Sequence, residues 1–190
     1  MPHIDLPTEL PGISAAFAFR PETAKPMREL AHILLHEPNS LAPAERELIA
    51  TYVSSLNDCH FCQASHGAAA ASHLGDSEIV NKVKTNPGAA PISEKLKRLL
   101  VIAGKVQQDG KNVIESDVQA AREWGATDME IHDTVLIAAA FCMYNRYVDG
   151  LATWQPREES AYARMGEHLA REGYRTSSQN AGNGSQAGQA

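Results

Sequence analysis

Apolar residues recur along this chain at intervals of three and four, and no segment shows the strict alternation of a strand. Met27, Leu30, Ala31, Leu34 and Leu35 form one helical stripe beginning near Glu22. Glu37-Pro38-Asn39 ends it, because the residue before a proline is pushed out of the helical region. A second helix opens at Pro43, a position where a missing N–H does no harm. Ala42 falls at its N-cap and is a weak cap. Leu48, Ile49, Tyr52, Val53 and Leu56 make one face of this helix. The other side carries Ala44, Glu47, Ala50, Thr51, Ser54 and Ser55, small and uncharged after Glu47. A helix with so little charge is expected to be buried on more than one side. Periodicity alone would turn Glu47 toward solvent.

Asn57-Asp58 supply N-cap chemistry for a third helix, which runs to a stop at Leu74-Gly75. A short helix over 76–84 follows, then another from Ser93 with Leu96, Leu99, Leu100, Ile102 and Ala103 inward. Ser116 to Gln119 and Thr127 to Glu130 both have capping-box spacing. The second box opens the longest helix, with Ile131, Thr134, Val135, Ala138, Phe141, Cys142 and either Met143 or Tyr144 facing the core. A last amphipathic helix spans 158–172. The expected fold class is all-α, about eight helices. Residues 41–50 echo residues 92–103, and the surroundings of Gly75 echo those of Gly125, which suggests two weakly related halves.

Composition sharpens this at the ends of the chain. Pro2, Pro7, Pro11 and Pro21 make residues 1–20 an extended arm, with Ile13, Phe17 and Phe19 available for apolar contacts. Residues 176–190 are small and polar and are expected to be a disordered tail. Between them, 21–175 is one helical domain, and 43% hydrophobic residues suffice for a core. A net charge of −6 with no basic run speaks against a nucleic-acid partner. The longest apolar run, Val135 to Met143, is too short to span a membrane. The N-terminus has neither the basic nor the apolar region of a secretory leader, and three cysteines is an odd count for a disulfide scaffold. Both point to a reducing, cytoplasmic setting.

The chemistry concentrates in Cys59-x2-Cys62-x3-His66. On a helix these three positions fall within about 60° of one another. Two thiols and an imidazole on one side of a helix start suit thiol redox chemistry, since the helix N-terminus favours a thiolate. They also suit zinc, with His60 or His73 as a fourth ligand, although structural zinc usually draws a second ligand pair from another segment. The absence of a βαβ pattern speaks against a thioredoxin-type context. Cys142 sits in an apolar run and reads as a core thiol. Asn145, Arg146 and Asp149 form a polar cluster that either lines a pocket mouth or links helices, the structural role being favoured. His32, His36 and His73 read as surface residues.

With Glu47 included, the motif becomes Glu-x11-Cys-x2-Cys-x3-His. Together with Leu-x-Pro-x-Glu-Arg-Glu-Leu-Ile-Ala over 41–50 and Asn-Arg-Tyr-Val-Asp-Gly over 145–150, it resembles the AhpD-like alkylhydroperoxidases of the carboxymuconolactone decarboxylase superfamily. Within these, the peroxidase-related proteins are the nearest subgroup. The resemblance covers about residues 20–155. It implies an all-α fold and cofactor-free reduction of hydroperoxides. Cys62 would attack the peroxide, Cys59 would resolve it as a Cys59–Cys62 disulfide, and His66 with a buried Glu47 would relay protons. It also implies a small-molecule hydroperoxide substrate, a thiol or lipoyl-type reductant, and a homo-oligomer built from dimers, up to a hexamer. The small-residue faces at 64–71 and 138–140 fit such an assembly. One departure is visible: the family's usual histidine before the second cysteine is Phe61 here, with His60 one place earlier. Two other readings stay open, a non-enzymatic oligomer with a zinc-binding or vestigial CxxC, and a decarboxylase-like activity on the same fold.

Overall fold

The structure, a computed structural model, describes residues 1–175; the tail expected over 176–190 lies outside the described residues. Among the described residues there are nine α-helices and no strand. They are α1 (Ile13–Phe19), α2 (Pro21–Leu35), α3 (Pro43–Leu56), α4 (His60–Leu74), α5 (Ser77–Thr85), α6 (Glu94–Gln108), α7 (Glu115–Glu123), α8 (Asp128–Gly150) and α9 (Glu159–Glu172).

The helix with little charge, α3, is the centre. It packs against α2, α4, α5, α6 and α8. Its apolar face, Leu48, Ile49 and Val53, meets Leu96, Leu99 and Leu100 of α6 and Ile137 and Phe141 of α8 in one core. Each such side chain contributes about 1.5–3 kcal/mol when taken fully out of water. Its small face is equally buried: Ala50, Thr51 and Ser54 are sealed, and small side chains there let α4 and α8 come close. Glu47 is carried inside with them, at 1% exposure. Periodicity sends Glu47 outward; packing on the second side of α3 overrides it. The weak cap at Ala42 is compensated from inside the helix, because the Glu45 carboxylate accepts the Ala42 N–H at 2.9 Å.

Several local expectations are corrected. The proline-rich arm is not wholly extended: α1 lies within it, and Ala15, Ala16 and Phe17 are buried. The N-cap of α4 is Cys59, not Asn57 or Asp58. Asp58 takes φ +55°, turning the chain between α3 and α4, a conformation aspartate tolerates better than most residues. At α7 the box expected from Ser116 gives way to a start two residues earlier, where Asp117 accepts the Ile114 N–H at 2.9 Å. The box at Thr127 and Glu130 is formed as expected, with both bonds present. On α8 it is Tyr144, not Met143, that faces the core. His32 is buried, not on the surface, and accepts the Tyr174 N–H at 3.1 Å.

The small-residue face of α4 is covered within the chain. Helix α9 lies along it, and Gly166 approaches so closely that a Cβ there would stand 2.4 Å from the Ala68 backbone. That face is therefore occupied without a second copy.

Candidate active site

The start of α4 and the middle of α3 bring the predicted residues together. Cys59 is the helix N-cap and Cys62 lies in the first turn, both buried and both free thiols. They sit in a small apolar cluster with Phe61, Val148 and Tyr162. In such surroundings a thiolate is disfavoured unless specific donors hold it. Cys62 has them, and its pKa is lowered. The Cys59 thiol donates to its sulfur, the positive charge available on His66 attracts it, and the Asn145 amide donates to it, together outweighing burial. Cys59 is driven the other way. Its proton is held between the two sulfurs, and burial adds to the effect, so its pKa is raised. The pair is thus asymmetric, with the thiolate favoured on Cys62 over Cys59.

Glu47 and His66 meet as the resemblance implies. His66 Nδ1 stands 2.9 Å from Glu47 Oε2, within hydrogen-bond distance. Phe141 packs edge-on against the imidazole, with ring centroids 4.6 Å apart. Beneath Glu47 lies Arg46, also buried; its Nη1 donates to the Leu34 carbonyl at 3.0 Å. Arg46 and Glu47 bring opposite charges to the same interior, and burial lowers the Arg46 pKa while Glu47 opposes that shift.

A third member of this group comes from the end of the described chain. The Tyr174 hydroxyl donates a short hydrogen bond to Glu47 Oε1 and lies 3.2 Å from His66 Nδ1. Its ring stacks on His66 at 5.6 Å between centroids. Burial, then the Glu47 charge and hydrogen bond, push the phenol well above its usual pKa, so it stays protonated. Nothing in the sequence pattern marks Tyr174. The only signal is an aromatic and an arginine standing between the helix-ending Gly173 and the polar tail. Residues 173–175 strap onto α2: Gly173, at φ +72°, packs where a Cβ would meet the His32 ring at 2.5 Å, and Arg175 pairs with Glu29 and Glu37 at 2.5 and 2.6 Å.

The polar cluster on α8 divides. Asn145 is buried; besides Cys62 it donates to Ser54 Oγ at 3.1 Å and accepts from Asn57 Nδ2 at 2.8 Å, and Asn57 in turn accepts from Gln107 at 2.9 Å. Arg146 is exposed and bonds its own helix at the Cys142 carbonyl. Asp149 is exposed and interacts with the Cys59 thiol, and partial desolvation raises its pKa. Cys142 is half-buried and receives a weak hydrogen bond from Asn57. Phe61 is packed between Gly12 and Tyr162, so the departure from the family pattern fills an apolar place. His60 lies edge-on to Tyr162 and faces outward, and His73 is exposed. Among the described residues, no three His, Cys, Asp or Glu side chains converge in a way that would hold a metal ion. A cavity of about 270 Å³ opens beside Cys62, His66 and Tyr174.

Residues 21–83 match the carboxymuconolactone decarboxylase family. Among solved structures, the chain resembles an alkylhydroperoxidase AhpD core, an uncharacterized peroxidase-related protein from Ralstonia eutropha JMP134. Identity is 26%, with a TM-score of 0.74, over 83% of this chain and 82% of that one. An uncharacterized peroxidase-related protein from Silicibacter sp. TM1040 is similar at 28% identity and TM-score 0.73, over 80% and 78% of the two chains. A protein of unknown function from Agrobacterium tumefaciens shares the fold at 21% identity and TM-score 0.66, over 75% and 97%. No curated protein matches the chain. Residues 21–83 thus carry the family match, on an AhpD-like helical fold.

Proposed function

We propose that this chain, with its carboxymuconolactone decarboxylase family match and AhpD-like fold, is a thiol-dependent peroxidase that reduces organic hydroperoxides. The observation that carries the reading is the pairing of an asymmetric cysteine pair with a hydrogen-bonded His66–Glu47 dyad at 2.9 Å. The Cys62 thiolate attacks the terminal oxygen of the hydroperoxide. The O–O bond breaks, the sulfur becomes a sulfenic acid, and the leaving alkoxide takes a proton from His66, which Glu47 and Tyr174 hold in place. Cys59 then gives up its proton and attacks the Cys62 sulfur. The S–O bond breaks, water leaves with that proton, and the Cys59–Cys62 disulfide forms before further oxidation. A dithiol donor returns two electrons and two protons to regenerate the thiols. The buried, apolar setting of the pair supports this reading, because it favours proton delivery by a positioned group.

A coupled assay tests it. Wild-type protein is given an alkyl hydroperoxide with dihydrolipoamide, thioredoxin or glutathione as donor. Turnover is expected with at least one dithiol, and its loss is expected in Cys62→Ser. Cys59→Ser should allow one round of peroxide consumption per chain and then stop. No consumption by the wild type with any donor, or full turnover by Cys62→Ser, would overturn the proposal.

A further inference from the structure

The cavity beside Cys62 has a wall of distinct character. Most of it is apolar, with Ile13, Phe17, Met27, Phe141, Met165 and Leu169. Its ionisable side chains other than the thiol and phenols are all basic: Arg28, His66, His168 and Arg175. No aspartate or glutamate lines it, although the chain holds 23 acids against 17 lysines and arginines. The two arginines differ. Arg175 is neutralised by Glu29 and Glu37. Arg28 has no carboxylate partner among the described residues; its guanidinium stands 4.8 Å from the centre of the Phe17 ring, in partial burial that nothing anionic offsets.

A half-buried guanidinium without a counter-ion has its fork of donors open to a bidentate acceptor. An anion entering the cavity meets no repelling acid and gains a charge-assisted pair. A hydrocarbon chain entering with it meets the apolar wall. We propose that this cavity binds amphiphilic carboxylic acids, with the carboxylate on Arg28 and the chain along Phe17, Met27 and Leu169, and that the enzyme's preferred substrates are hydroperoxides bearing such a carboxylate. The substrate clause rests on the peroxidase reading; the carboxylate site stands on Arg28 and the wall. Size narrows the class. The cavity, about 270 Å³, lies at the small end of ligand pockets, which suits a medium-chain acid.

Calorimetric titration of the reduced protein with octanoate, and with octanol as the uncharged control, reads the site without any peroxide. Octanoate is expected to bind the wild type at least about tenfold tighter than octanol, the order expected of a charge-assisted hydrogen bond. Arg28→Gln should remove that preference and Arg28→Lys should restore part of it, with circular dichroism confirming the fold of each. Equal affinity for the two ligands in the wild type, or a preference unchanged in Arg28→Gln, overturns the proposal. A kinetic arm compares kcat/KM for a carboxylated and a neutral hydroperoxide of equal length. The ratio should favour the carboxylated one and collapse in Arg28→Gln. If the wild type consumes neither hydroperoxide yet octanoate binding depends on Arg28, the peroxidase reading falls and the carboxylate site stands.

Discussion

The acidity of the Cys62 thiol depends on His66 of its own helix, on Asn145 of α8 and on its partner thiol. Asn145 is the most testable of them, because its amide donates directly and its other bonds fix its orientation. Replacing it with alanine should raise the Cys62 pKa toward that of an ordinary cysteine thiol. The pH dependence of iodoacetamide alkylation in a Cys59→Ser, Cys142→Ser background checks this. In that background the Asn145→Ala curve should lie at higher pH than the curve with Asn145 intact. Tyr174 offers a second test. Phenylalanine keeps the stacking on His66 but leaves Glu47 Oε1 without its donor. A loss of about 1–3 kcal/mol in urea unfolding is expected, with slower peroxide turnover. The sign with pH is also set. The folded-state pKa of Tyr174 lies above the unfolded value of about 10, so its contribution is full below that pH and is lost as pH rises through the folded value. Wild-type stability should therefore fall above about pH 10, and Tyr174→Phe should fall less steeply there.

Helix packing decides what the side chains can do. Gly166 lets α9 lie directly on α4, so Gly166→Ala should force the helices apart and cost about 1–3 kcal/mol, read as a lower urea midpoint. Most of the α-helices were legible in the sequence because caps and apolar spacing are local properties. Pro43, Gly75 and the Thr127 box mark boundaries that the structure keeps. Helix α1 was hidden by the prolines around it, although none lies within Ile13–Phe19. The site was legible in its spacing, Cys59, Cys62 and His66. The burial of Glu47 was not legible from periodicity, because it depends on which helices choose the small side of α3. The identity of the cap on α4 was also missed, and it matters. Cys59 has no side-chain cap hydrogen bond and stands outside the helical frame of Cys62. Closing a disulfide between them should rearrange the 57–60 turn and leave α4 intact. Hydrogen exchange on reduced and oxidised protein should differ there and not along 64–72.

At the scale of the whole molecule, the site needs both ends of the described chain. A chain stopped at Glu172 keeps all nine helices but loses Tyr174 and Arg175. Far-UV circular dichroism should be nearly unchanged, while peroxide turnover should drop roughly tenfold, the equivalent of one lost positioning hydrogen bond of about 1.4 kcal/mol. Glu47 and Tyr174 are 127 positions apart, whereas Cys59, Cys62 and His66 come from one helix. The two thiols are therefore assembled by short-range contacts, and their proton supply by some of the longest-range contacts in the chain. Contacts of large sequence separation form late. A refolding or newly synthesised chain should pass through a stage in which its cysteines are present but unassisted, and recovery of peroxide turnover should lag behind recovery of helicity. Competence then arrives with the final docking step, so the centre doubles as a report that the rest of the chain has found its place.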